Sequence, residues 1–224
     1  AQVVTPLMSK AHKEGKLSEI KELYRSSVSK LAFIFLPATV LLIFIAEPLI
    51  VTLFTETYSD SVPIFMIYLI LLPTYSLNLG WILMASGQTK FLLKLALFMS
   101  VVNVILSYGL LITLEGENRL LGIPFSTVLV TWLSTIIVMN RSLATIESSF
   151  LETYPLKEIW TIAAISLVAV LPVILISSLS LSNILTLIFS IILFGTVFLM
   201  LSFKLKLIGD NEIKLVKSFL PFKN

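Results

Sequence analysis

The 224-residue chain has no cysteine and one histidine, His12. The first absence excludes a disulfide framework and a thiolate metal site, and a lone imidazole makes no metal site. Charge is also scarce, at 13% of residues, against about 25% in an ordinary soluble domain. The eight glycines form no GxxxG pattern. Paired carboxylates, His/Cys clusters, Gly-rich phosphate loops and nucleophile elbows are all missing, so no catalytic residue, metal or cofactor is expected. No acid or base stands near the middle of a long apolar run, which argues against a proton relay or a voltage sensor in these segments.

What the chain has in abundance is apolar surface. Hydrophobic residues make up 57% of it, and the mean hydropathy is +1.01. A soluble globule of this length could not hide so much, and a disordered chain needs the opposite composition. The net charge of +3 would suggest nucleic acid in a soluble protein. Here the placement of the charges matters more, and no nucleic-acid partner is expected. The class that remains is an all-α integral membrane protein.

About 20 apolar residues at 1.5 Å each cross a hydrocarbon core of roughly 30 Å. The candidate spans are Leu31 to Leu53, a stretch within Ser61 to Thr89, Leu95 to Leu114 and Leu120 to Asn140. The last uncharged run, Ile159 to Phe203, would be roughly 68 Å long as one helix and must fold back. Its turn is the cluster Ser177, Ser178, Ser180, Ser182 and Asn183, giving spans Ile159–Ile176 and Ile184–Phe203. Six transmembrane helices result. Fifteen of the 16 lysines and arginines then fall on one side, with Arg119 alone on the other. By the positive-inside rule both termini are cytoplasmic in a cell-membrane protein.

The organisation follows. Residues 1–30 read as the end of a preceding helix plus a cytoplasmic amphipathic linker. Residues 31–140 are a four-helix, cavity-lining part, and 141–158 a cytoplasmic loop. Residues 159–203 are a greasy, peripheral helix pair, and 204–224 a basic cytoplasmic tail. The start at Ala1 on an apolar stretch suggests a fragment of a longer protein. Within Ser9–Lys30, Leu17, Ile20, Leu23, Tyr24 and Val28 recur at helical spacing, the pattern of a helix lying at the interface. Asp210–Leu220 repeats that theme.

The polar residues inside the spans are neutral and share faces. Ser100, Asn103 and Ser107 line one side of span three. Thr127, Thr131, Ser134 and Thr135 line one side of span four, and Tyr75, Ser76 and Asn78 follow Pro73 in span two. Such side chains find no partner in lipid, so these faces turn toward other helices or a wet cavity. Prolines at 37, 73 and 172 each remove a backbone donor and bend a helix. Pro73 stands mid-membrane near Asn78, and bent helices beside polar residues at the midplane are a feature of transporters.

The order of these features resembles the C-terminal half of polysaccharide biosynthesis proteins of the oligosaccharide (O-antigen type) flippase family. That family belongs to the multidrug, oligosaccharidyl-lipid and polysaccharide exporter superfamily. The pieces that carry the resemblance are Pro6, Pro37, the AEPLIVTLF stretch with Tyr58, the ASGQTK turn at 85–90, Asn103, and Gly122 with Thr127. The resemblance implies the second lobe of a two-lobed exporter of twelve to fourteen helices, whose N-terminal lobe would be a partner. It also implies alternating access for a polyprenyl-diphosphate-linked oligosaccharide, in contact with membrane lipid. On that reading Tyr75, Asn78, Ser100, Asn103 and Thr127 are cavity candidates for sugar hydroxyls, and Pro37 and Pro73 are hinge candidates. A drug/cation antiporter of the same superfamily would need an intramembrane acid, and none is seen here. A membrane glycosyltransferase or polymerase would need a larger polar loop, and a purely structural subunit stands at a similar distance.

Overall fold

The computed structural model describes residues 4–77, 80–179 and 181–207. Asn78, Ser180 and the tail Asp210–Leu220 therefore lie outside the described residues. The described elements are α1 Val4–Lys13, α2 Leu17–Phe44, α3 Ala46–Phe54, α4 Val62–Leu69, α5 Leu72–Leu77 and α6 Gly80–Ala85. They continue with α7 Thr89–Thr113, α8 Gly122–Thr145, α9 Phe150–Thr153, α10 Leu156–Ala169, α11 Leu171–Ser177 and α12 Asn183–Lys204. Short 3₁₀ turns, Glu56–Ser61 and Gly116–Leu121, precede α4 and α8. Among the described residues there is no strand. Six stretches are long and apolar enough to cross a membrane: Leu17–Phe44, Glu56–Leu77, Thr89–Thr113, Asn118–Thr145, Leu156–Ser177 and Asn183–Lys204. The protein is an all-α integral membrane protein, as its composition demands.

The lead-in departs from expectation. Residues 17–30 are not an interfacial helix of their own but the first turns of α2, which runs unbroken for 28 residues. The apolar stripe faces protein rather than lipid, because other elements cover it: Ile20, Tyr24 and Val28 are buried with Met8 and Ala11 of α1, Ile82 of α6, Leu143 and Ile146 at the end of α8, and Tyr154. Further along, α2 joins a second core with α10, α11 and α12 through Ala32, Ile162, Val173, Phe194 and Phe198. Thus α2 is the post shared by both cores.

Spans five and six, expected at the periphery, supply most of this second core. The most exposed span is α7, where Met99 is buried while Leu97, Val104 and Tyr108 are more than 60% exposed. α7 packs chiefly on α8, closely enough that Gly122 has no room for a Cβ against Leu110.

The segments assigned to the basic side meet at one end of the molecule. Ser9 donates to the Ala85 carbonyl at 3.1 Å, and Lys21 to the Glu147 carbonyl at 3.4 Å. Gln88 donates to Thr145 at 2.9 Å, and Ser29 to Glu158. Helices α1, α6, α8 and α12 each end here in a paired carbonyl-capping turn. After α6, Gln88 N–H bonds the Leu83 carbonyl and Gly87 N–H the Met84 carbonyl, with Gly87 at φ +77°. After α8 the same turn places Glu147, a residue with a Cβ, at φ +49°. Lys13 in the last turn of α1 and Lys204 in that of α12 complement the negative end of the helix dipole.

Candidate substrate-facing site

The site begins with a broken helix. Pro73 has no N–H to give the Leu69 carbonyl, and its ring crowds the preceding turn. Span two accordingly divides into α4 and α5 at Ile70–Leu71. Around the break the backbone tightens: Ile70 N–H bonds the Ile67 carbonyl, Leu71 N–H that of Tyr68, and Thr74 N–H that of Leu71. With Thr74 N–H turned to Leu71, the Ile70 carbonyl is left without its helical donor. It accepts instead from the indole N–H of Trp132 on α8, at 3.2 Å. An orphaned carbonyl in a dry setting costs more than the bond is worth, so this cross-helix donor stabilises the break.

Between α5 and α8 the break leaves a cavity of about 270 Å³, lined by Leu71, Thr74, Tyr75, Thr131, Ser134, Thr135 and Val138. Five of these seven residues carry hydroxyls and none carries a charge. Thr74 and Thr135 donate to carbonyls of their own helices, Leu71 at 2.6 Å and Thr131 at 2.8 Å. Their oxygens still have lone pairs to offer the cavity. The Tyr75 ring lies against Phe35 of α2, centroids 5.4 Å apart, and is 57% exposed. A larger depression, about 470 Å³, runs along α7 past Val102, Ile105 and Gly109 and is almost wholly apolar.

The last described residue of α5 is also held from outside its helix. The Leu77 carbonyl lies 2.9 Å from the Tyr154 hydroxyl and 3.2 Å from that of Tyr24, and the two hydroxyls are 3.2 Å apart. Two protons serve these three contacts: either both hydroxyls donate to the carbonyl, or one donates to it and the other donates to its partner hydroxyl. Both rings are buried, packed edge to face at 5.7 Å, and Phe150 covers Tyr154 at 4.5 Å. Burial raises the Tyr154 phenol above its ordinary value.

The structure separates the residues expected together. Tyr75 faces the cavity. Asn103 and Thr127 sit on the seam between α7 and α8. There Asn103 Nδ2 donates to Thr127 Oγ1 at 3.4 Å, and Asn103 Oδ1 accepts from Ser107 at 3.2 Å and Ser126 at 3.1 Å. Ser100 is exposed and donates to the Ala96 carbonyl of its own helix at 2.8 Å. Asn78 lies outside the described residues. Pro73 marks the break, whereas α2 continues through buried Pro37 and ends only at Phe44. Sequence reasoning found the polar face of span four and put Tyr24 on an interfacial stripe, but gave Trp132 and Tyr154 no role. The available signal was a tryptophan one residue from Thr131; no sequence signal pairs Tyr24 with Tyr154.

A family model described as lipid II flippase MurJ matches residues 1–195, five spans and part of the sixth. No curated protein and no solved structure matches the chain. With the match extending over most of its length, the chain belongs to the lipid II flippase MurJ family, a transporter family within the multidrug, oligosaccharidyl-lipid and polysaccharide exporter superfamily.

Proposed function

We propose that the chain takes part in moving lipid II, the lipid-linked peptidoglycan precursor, from the cytoplasmic to the outer leaflet of the cell membrane. The family description names lipid II, a different lipid-linked saccharide from the O-antigen type that the sequence resemblance implied. The observation that carries the reading is the neutral, hydroxyl-lined cavity against a span broken at Ile70–Leu71. Hydroxyl donors and acceptors suit sugar hydroxyls and amides, whose recognition needs precise polar groups rather than charge. A break beside the cavity gives the helix a place to bend as access alternates. Tyr75 is then a saccharide contact, and Asn78, Ser100, Asn103 and Thr127 are further candidates that the sequence resemblance offers, away from this cavity's described lining. Pro73 is the hinge.

In this reading both termini face the cytoplasm, following the cation bias, and a second lobe completes the transporter. The cavity supplies no cation for the diphosphate, so that charge is met elsewhere in the complete protein.

The test uses the full-length protein carrying Ser134→Leu together with Thr135→Val. Translocation of lipid II in proteoliposomes should fall at least several-fold at equal protein content. Wild-type translocation by this variant would overturn the assignment of the cavity.

A further inference from the structure

The described stretch Leu72–Leu77 of span two, α5, is gripped on either side of Thr74 and Tyr75 by side chains from outside that span. At the leading end the Trp132 indole of α8 holds the Ile70 carbonyl, just before the helix begins. At the trailing end the phenols of Tyr24, on α2, and Tyr154, between α9 and α10, converge on the Leu77 carbonyl. Between these points α5 carries Thr74 and Tyr75, the two cavity-lining residues that span two contributes beyond Leu71. Two backbone carbonyls, one before Pro73 and one after it, are thus held by side chains of other elements.

We propose that Trp132, Tyr24 and Tyr154 are positioning residues that hold α5 as a unit and so set where Thr74 and Tyr75 stand in the cavity. They act through α5 and touch no substrate themselves. The inference rests on the cavity being the saccharide site. It adds that this site is tuned from the Tyr24–Tyr154 pair, at the end of the molecule where the basic loops meet.

Two readouts test it in the full-length protein. The first is spectroscopic. In a protein whose other tryptophans, Trp81 and Trp160 among them, are phenylalanine, the emission of Trp132 reports the bond at the leading end. Adding Tyr24→Phe and Tyr154→Phe removes both hydroxyls at the trailing end but keeps the rings. If α5 moves as a unit, the Trp132 emission shifts although its own surroundings are unaltered. The second is the dependence of translocation on lipid II concentration. The double phenylalanine variant should need a several-fold higher concentration for half-maximal rate, and Trp132→Phe should reproduce that change.

Where the double variant does not fold, the single Tyr154→Phe and Trp132→Phe proteins carry the same concentration test. Wild-type half-saturation in variants of unchanged helical content overturns the positioning role, as does an unmoved Trp132 emission. The two readings fail separately: wild-type transport by the Ser134 and Thr135 variant removes the cavity assignment, whereas a cavity-dependent protein indifferent to the aromatic changes removes only this inference.

Discussion

Replacing Gly122 by alanine is the sharpest perturbation that the packing offers. A Cβ built there meets Leu110 Cβ at 2.8 Å, Leu110 C at 3.3 Å and Leu114 Cδ1 at 3.3 Å. Carbon contacts prefer roughly 3.5–4.0 Å, so α7 and α8 must part by about an ångström. The nearest atom is a Cβ fixed to its backbone, and no rotamer change relieves it. Overpacking of this kind costs about 1–3 kcal/mol. The helix-forming advantage of alanine over glycine, at most about 1 kcal/mol, returns part of this. The expected net loss is up to about 3 kcal/mol. Parting the helices also stretches the Asn103–Thr127 contact, already 3.4 Å. Gly109→Ala, on the open face of α7 with nothing within 4 Å, is the matched control and should gain up to about 1 kcal/mol. Unfolding in mixed detergent and dodecyl sulfate micelles measures both. Equal stability of the two variants would refute the close approach of α7 and α8.

Other outcomes follow from single contacts. Glu147→Gly relieves a left-handed residue at the end of α8 and should raise stability by about 1 kcal/mol, read in the same unfolding assay. Asn103→Leu strips Ser107, Ser126 and Thr127 of a shared partner; a loss of about 1 kcal/mol is expected, since cross-helix bonds in membranes average somewhat less. Pro73→Ala restores an N–H for the Leu69 carbonyl and should stabilise span two while slowing translocation in proteoliposomes. The Glu152 carboxyl is held below the usual range first by the Ser149 backbone N–H and then by the Ser148 hydroxyl. A depressed carboxylate contributes stability above its unfolded pKa and loses it as pH falls through the folded value. Glu152→Gln should therefore remove a small acid-side fall in the melting temperature.

The spans were legible because hydropathy reports directly on what lipid tolerates. Their breaks were legible only in part. Pro73 pointed to the division of span two, but nothing in the composition showed that α2 passes through Pro37 and stops at Ile45. Helical periodicity places Asn103 and Thr135 on polar faces without naming the neighbour each face meets. One face closed on a seam with α8 and the other opened on a cavity. The stripe Ile20, Tyr24 and Val28 has the spacing of a lipid-facing helix. Tyr154, separated from Tyr24 by most of the chain, covers it, and no local pattern carries that information.

The proposed saccharide site can be tested directly because this chain brings no cysteine of its own. A full-length protein with a single cysteine at position 134, in place of Ser134, is treated with a membrane-impermeant thiol reagent, with and without lipid II. The account predicts labelling in the free protein and marked protection when lipid II is bound. Equal labelling in both conditions, or no labelling in either, would contradict it.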